Sequence, residues 1–363
     1  MNKTQETAHN CGAVKEKHKM LDLFELQKDI TLGKKIIVAP KEAEDSDLAA
    51  IADCIKGGQD IALDLSETKI TRLGAEFGGC KALKAIVLPK GVTSIGNYAF
   101  CGCEALTSIL IPASVTSIGD EAFQDCWGLA DKDGFVIVRD ILFGYIGNAQ
   151  SAVIPEGVTS IGSYAFEGCA LEQVTIPASV KDIGLRPFAG CGALAKIDVA
   201  SENKDYTSVD GVLFSKDKKT LVYFPAGKSA DYYEIPEGVT SIGFTAFEEC
   251  SSLVQVAIPE GVTSIEYMAF ALCRSLMQVE IPASVTYIED CAFEWCSSLT
   301  AIVIPASVTS IGYMAFDGCT ALTHITFADT SGWYFDKDFT RPAGASELAS
   351  SLKGGKELYK EAR

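Results

Sequence analysis

The sixteen residues IPASVTSIGDEAFQDC, beginning at Ile111, return in closely related form as IPASVTYIEDCAFEWC at Ile281 and IPASVTSIGYMAFDGC at Ile304. Two markers inside the motif measure the repeat. Its proline falls at Pro89, Pro112, Pro155, Pro177, Pro236, Pro259, Pro282 and Pro305, in steps of 23, 43, 22, 59, 23, 23 and 23 residues. The cysteine that follows its phenylalanine falls at Cys80, Cys103, Cys126, Cys169, Cys191, Cys250, Cys273, Cys296 and Cys319, in steps of 23, 23, 43, 22, 59, 23, 23 and 23. Two markers keeping one period exclude a compositional accident. Self-similarity at such a spacing commits the chain to a stack of like units. The two long steps are one repeat plus inserts of about 20 and 36 residues.

One unit reads from Leu106. Leu106, Ile109 and Ile111 alternate along a short apolar stretch, the pattern of a strand with one buried face. Pro112 cannot donate to a sheet ladder and ends it. A turn follows, written ASV here and EGV at Glu156, Glu237 and Glu260. Val115 and Ile118 then point inward from a second extended segment. Gly119 breaks that segment, and DEAFQDC forms a compact helical turn that drops Phe123 and Cys126 into the interior. A lone unit buries about eight side chains worth roughly 2 kcal/mol each, while ordering its residues costs roughly 1–2 kcal/mol apiece. A single unit therefore fails, and a stack succeeds because each turn covers the apolar edges of its neighbours.

The pattern LxxIxIPxSVTxIGxxAFxGC, running from about Leu48 to Phe327, resembles the BspA-like class of leucine-rich repeats. That resemblance implies a right-handed, β-rich solenoid with short helical or 3-10 turns and small helical caps. It also implies a surface protein that binds other proteins. Two inserts, near 129–151 and 198–232, resemble the hairpin variants of such arrays. The slot where the usual leucine-rich repeat keeps Asn or Cys holds Ser114, Gly157, Ser179, Gly238, Gly261, Ser284 and Ser307 instead. An extended outer side is expected from this rather than a regular α-helix. The organisation expected is a partly mobile tail over 1–45, the solenoid over 46–327 and a C-terminal cap over 328–363. Ser46 is the expected N-cap of a leading helix with Leu48, Ile51 and Ile55 on one face and Gly57-Gly58 as its stop. Trp333, Tyr334, Phe335 and Phe339 are expected to plug the last turn, before a short helix from about Ser346.

Composition narrows the function. A formal net charge of −17 repels phosphate backbones and anionic lipid, against nucleic-acid binding. No apolar run is long enough for membrane insertion. The first twenty residues carry no apolar leader segment, so the sequence points inside the cell while the resemblance points to the surface or the medium. Of thirteen cysteines nine obey the repeat, which a buried lattice position explains without disulfides or metal. Cys101 and Cys291 fall outside it, and Cys101-Gly102-Cys103 is a weak metal or redox signal. The three histidines, His9, His18 and His324, show no paired ligand spacing. The S-x-x-K match at Ser66–Lys69 lacks its companion motifs. The Asp131 stretch DKDG starts like a calcium loop but lacks the closing glutamate, and reads as a turn before FVIV. No catalytic, cofactor or metal residue is assigned.

A repeat protein's binding surface is usually its concave sheet. The residue between the inward positions faces out, giving Asp64, Val87, Leu110, Val153, Thr175, Asp198, Glu234, Ala257, Glu280, Val303 and Thr326. Val87, Leu110 and Val153 are apolar in succession, flanked by Ala85 and Ser108, and the row turns acidic at Glu234 and Glu280. These seven are the candidate contact residues, for a host or microbial surface protein or an apolar small ligand. β-propensity alone also favours valine at exposed strand positions. The expected function is an adhesin-like binding protein. A cytoplasmic interaction scaffold and, remotely, a hydrolase using surface carboxylates are the alternatives.

Overall fold

A computed structural model describes residues 36–58, 60–335 and 345–360. The tail before residue 36, with His9, Cys11 and His18, and the segment holding Phe339 lie outside the described residues. The described residues form two compact units. One runs to Gly147 and takes in Ser160–Phe166; the other comprises Asn148–Thr159 and the chain from Glu167 onward.

In the first unit the alternating stretches form a parallel sheet of Ile36–Val38, Ile61–Asp64, Leu83–Val87 and Ser108–Leu110. Ile37, Leu63, Ile86 and Ile109 occupy one row. The first three are buried, and Ile109, on the last strand of that sheet, is half-buried. The second extended segments, Arg72–Leu73, Ser94–Ile95 and Ser117–Ile118, pair in a parallel sheet of their own. The AF segment closes each repeat through bonds of the i→i+3 kind, from Ala122 N to Gly119 O, Gln124 N to Glu121 O and Cys126 N to Phe123 O. Glu121 and Asp125 sit at φ 54° and 57°, which prevents the turn from continuing as an α-helix. Its backbone groups pair sideways instead: Tyr98, Phe100 and Gly102 donate to the carbonyls of Asp120, Ala122 and Gln124 at 3.1, 2.8 and 2.8 Å. A third ladder therefore joins neighbouring repeats.

The buried phenylalanines form a stack. Phe77, Phe100 and Phe123 lie 5.6 and 5.2 Å apart with nearly parallel rings, the offset arrangement aromatic pairs prefer. The lattice cysteines are more than apolar filler. Cys103 and Cys126 donate their S–H to the carbonyls of Phe77 and Phe100, both at 3.1 Å. The insert is an antiparallel hairpin of Phe135–Val138 and Ile141–Tyr145, whose second strand pairs in parallel with Ser160–Ile161. It supplies Phe143, edge-on to Phe123 at 5.3 Å, so it stands in for one repeat. Arg139 at its tip donates to the carbonyls of Val115 and Pro112, both at 2.8 Å, satisfying acceptors of the preceding turn. The leading helix is Leu48–Lys56 and buries Leu48, Ile51, Ala52, Cys54 and Ile55. Its N-cap is Asp47, not Ser46. Ser46 lies inside a 3-10 turn, Asp45–Asp47, closed by a capping box in which the Asp47 carboxylate accepts from Glu44 N at 2.9 Å.

The second unit repeats these devices. Its longer strands form three parallel sheets: Ser151–Val153, Gln173–Ile176 and Lys196–Val199; Tyr232–Glu234, Gln255–Ala257 and Gln278–Glu280; Ala301–Ile304 and His324–Phe327. Its short strands Ser241–Ile242, Ser264–Ile265, Tyr287–Ile288 and Ser310–Ile311 stack in parallel. Phe224, Phe247, Phe270, Phe293 and Phe316 follow one another at 5.1, 4.8, 5.2 and 5.2 Å. Cys273, Cys296 and Cys319 donate to the carbonyls of Phe247, Phe270 and Phe293 at 2.9, 3.1 and 3.1 Å.

The second insert is a three-stranded meander, Tyr206–Val209, Val212–Ser215 and Thr220–Tyr223. Asp210 and Gly211 form its tight turn with φ 50° and 81°, the left-handed pair a two-residue hairpin requires. Its last strand enters the parallel stack beside Ser241–Ile242. Buried Asn203 plays the part Arg139 plays in the first unit, donating to Pro177 O and Val180 O at 2.8 and 2.9 Å. The turns on either side of the meander are tied by Arg186, whose Nε donates to Glu248 Oε2 at 2.9 Å. Burial pushes the Glu248 carboxyl above its ordinary value, and Arg186 pulls against that. At the far end Leu358–Lys360 lies antiparallel between Ser310–Ile311 and Trp333–Phe335. Trp333 is buried edge-on against Phe327 at 5.5 Å, the plugging role expected of it, and the second helix spans Ala345–Lys353.

Candidate binding surface

Because the inward rows are fixed by the core, the residue between them is presented to solvent. Leu110, Val153 and Val303 are 63%, 66% and 57% exposed. Ser108, Glu234, Glu280 and Thr326 are also exposed, while Ala85, Val87, Asp64, Thr175, Asp198 and Ala257 are half-buried. Strand register groups these residues. Ala85 faces Ser108 and Val87 faces Leu110 on adjacent strands. Val153 shares its row with Thr175 and Asp198 in a different sheet. Glu234, Ala257 and Glu280 form one row, and Val303 stands beside Thr326. Asp198 is engaged by Lys196 and Gln173, both at 2.8 Å.

The motifs with possible chemistry are absorbed by structure. Lys69 pairs with Glu42 at 2.8 Å on the surface, and Ser66 N donates to Asp64. Asp131 accepts from the backbone of Asp133 and Phe135, both at 2.9 Å, which makes it the turn before Phe135–Val138. Cys103 is committed to the Phe77 carbonyl, while Cys101 is half-buried beside it. Burial raises the Cys80, Cys103 and Cys191 thiols to about 11, 12 and 12, so they stay protonated and poorly nucleophilic at neutral pH. His324 is exposed at the start of its strand, with Nδ1 2.8 Å from Thr323 Oγ1. A groove of about 890 Å³ beside the leading helix is lined by Asp45, Lys69, Arg72 and Glu76, among others. Asp45 is engaged by the backbone and hydroxyl of Thr71 at 2.7 and 2.8 Å. Among the described residues no group of three His, Cys, Asp or Glu side chains is placed to hold a metal ion. No helix there is long and apolar enough to cross a membrane.

One feature escapes a reading confined to the longer strands. Phe244, Tyr267 and Tyr313 occupy the same position of their repeats, two residues before the Ala-Phe pair, and Asp290 holds it in the repeat between. The three aromatics are exposed, as is Tyr287 on the short strand preceding Asp290. Aligning the repeats on the Ala-Phe pair, rather than on the proline alone, exposes this column in the sequence.

The model of the BspA-type leucine-rich repeat region matches residues 65–132, 136–227 and 222–332. Among solved structures the chain is similar to the pneumococcal vaccine antigen PcpA, with 24% identity and a TM-score of 0.49 over 69% of this chain and 63% of that one. It is also similar to a leucine-rich cell surface protein of Faecalibacterium prausnitzii, with 27% identity and a TM-score of 0.48 over 79% of this chain and 92% of that one. The chain thus spans less than two thirds of the PcpA structure's length. No curated protein sequence matches it. With the repeat model covering most of the chain, and the strand, phenylalanine and cysteine ladders recurring at its period, the chain belongs to the BspA-type leucine-rich repeat family.

Proposed function

We propose that this chain is a non-enzymatic, adhesin-like protein that recognises another protein through the outward residues of its longer strands. Leucine-rich repeats are typically interaction modules rather than catalysts, and a stacked scaffold presents one variable side chain per strand at a fixed spacing. The observation that carries the reading is the contrast within each strand. Inward positions stay apolar and are buried or half-buried, while the position between them varies from Leu110 and Val153 to Glu234 and Glu280 and is exposed at each of those four. Ala85, Val87, Ser108 and Leu110 make the most apolar of these patches, suited to the desolvated centre of an interface.

The test is adhesion of the purified chain to protein-coated and cell surfaces, with Val87→Lys and Leu110→Lys combined in one variant. Loss of adhesion at unchanged thermal midpoint supports the patch; adhesion equal to that of the parent overturns it. A second reading, an interaction scaffold in a reducing compartment, rests on repeat cysteines that are thiols, Cys103, Cys126, Cys273, Cys296 and Cys319 each donating to a carbonyl, since thiols are the rule where disulfides do not persist. Protease treatment of intact source cells separates the two. Cleavage of this chain while a cytoplasmic control survives favours the adhesin, and protection favours the scaffold.

A further inference from the structure

The column of exposed aromatics in the second unit lies in the most one-sided electrostatic stretch of the chain. Residues 231–330 contain thirteen carboxylates and a single cationic side chain, Arg274, so they hold twelve of the seventeen net negative charges. The same stretch holds six of the eight exposed Tyr, Trp and Phe side chains among the described residues.

Phe244, Tyr267 and Tyr313 are 55%, 43% and 48% exposed, and Tyr287 is 50% exposed. Their rungs are neighbours. Thr245 N donates to Tyr267 O at 3.0 Å, Met268 N to Asp290 O at 3.1 Å and Cys291 N to Tyr313 O at 2.9 Å. Carboxylates neighbour the ring positions along the chain at Glu266, Glu289 and Asp290, and Glu266 accepts from the Ser264 hydroxyl. Asp290 is committed, accepting from Tyr313 N at 2.7 Å. The Glu289 carboxyl is raised by burial and then by the negative charges of Glu266 and Asp290. Lys216, Lys218 and Lys219 lie on the meander at one end of the row and Lys360 at the other. Lys216 and Lys360 are engaged with Ser201 O and Asp329.

We propose that this row docks a lysine- or arginine-rich segment of a partner protein, extended along the stack, with its cationic heads over the rings and beside Glu266 and Glu289. This deepens the protein-recognition reading and rests on it, while using a different face. The chemistry selects the partner. A cation over an aromatic face is attracted by the ring quadrupole, and here it also relieves carboxylates that repel one another. An acidic partner meets the same field with the wrong sign. An apolar partner would bury the Glu289 carboxyl without a counter-charge, which is costly. The underlying phenylalanines step by 4.8, 5.2 and 5.2 Å, so four rungs span about 15 Å. That is the reach of four to five extended residues at about 3.3 Å each.

The experiment titrates the full chain into labelled hexalysine, with hexaglutamate as control, and reads fluorescence anisotropy at two salt concentrations. Two row variants, Tyr267→Ser with Tyr313→Ser and Glu266→Gln with Glu289→Gln, are set against Glu237→Gln with Glu260→Gln, exposed in the EGV turns. Expected are salt-sensitive binding of hexalysine only, about five- to thirtyfold weaker in each row variant, and a change under twofold in the control. If the serine variant lowers the thermal midpoint, the glutamine variant decides. Absence of hexalysine binding at low salt, equal weakening in row and control variants, or weakening in the control alone each overturns the row. None of these touches the Val87 and Leu110 adhesion test, which judges the broader reading separately.

Discussion

Between Ile242 and Cys319 the chain stacks repeats of 23 residues without interruption, whereas the stretches 129–151 and 198–232 build the same stack from hairpins. The uninterrupted run satisfies itself. Each phenylalanine sits on the next, each cysteine donates to the phenylalanine carbonyl behind it, and backbone ladders join successive turns, the longer-strand ladder alone breaking between Glu280 and Ala301. The hairpins abandon the motif but keep its requirements. They supply a replacement ring, Phe143 or Phe224, and a strand that continues the short-strand ladder. They also add something the regular turn does not use, a polar side chain, Arg139 or Asn203, reaching back to the carbonyls of the preceding IPxSV turn. The stack thus demands a ring, a ladder strand and satisfied carbonyls at each level, and the 23-residue motif is one of two ways to provide them.

Breaking the ring requirement inside the regular run should cost most. Phe270→Ala removes a buried ring stacked on both sides, and about 3–5 kcal/mol of unfolding free energy should disappear in a urea titration. Next is the tie across the second insert. Arg186→Met strands the buried Glu248 carboxylate, with an expected loss of about 3 kcal/mol at neutral pH. The sign with pH is definite. The folded-state pKa of Glu248 lies above its ordinary 4.5 because burial outweighs the pull of Arg186. The stability linked to its protonated form is complete below that ordinary value and is lost as pH rises through the raised folded one. Removing Arg186 raises the folded value further, so the deficit of the variant should shrink toward about pH 4, as thermal midpoints across pH will reveal.

Asn203→Ala tests the carbonyl requirement. Two acceptors lose their donors and about 1–3 kcal/mol should go with them; a loss confined to a few tenths would mean that water reaches that turn. Cys296→Ala, which deletes one S–H···O bond in a lattice that keeps its rings, should cost about 1 kcal/mol. A cost as large as that of Phe270→Ala would make the thiol ladder, not the ring stack, the main cohesive element.

Much of this was legible in the sequence because the period ties local pattern to tertiary placement. Ile-x-Ile alternation located the longer strands, the proline their ends, and the cysteine column the buried lattice, from which half-buried Cys169 departs. The hydrogen bonds of the thiols were not legible, since the same column is explained by packing alone. The turn geometry was hidden too. Glu121, Asp125, Leu272 and Trp295 adopt φ between 54° and 61°, a conformation their residue types do not announce. The helix cap went to Asp47 rather than Ser46 because a 3-10 turn precedes the helix, and short capping boxes overlap in a run such as EDSD. For the surface, the outward row of the longer strands followed from alternation, whereas the Phe244–Tyr313 column lies in turns without a two-residue period and emerges only when repeats are aligned against one another.

The phenylalanine stack makes length a quantised variable. Cutting residues 259–281 joins Ile258 to Pro282 and recreates an Ile-Pro junction, so the shortened chain still meets every level of the stack with a ring, a thiol and three ladder segments. Cutting five residues from the same turn puts each of these out of phase with its neighbours at once. A chain built this way can gain or lose whole levels at the modest cost of one nearest-neighbour interface, whereas a fraction of a level disrupts the ring stack and the ladders together.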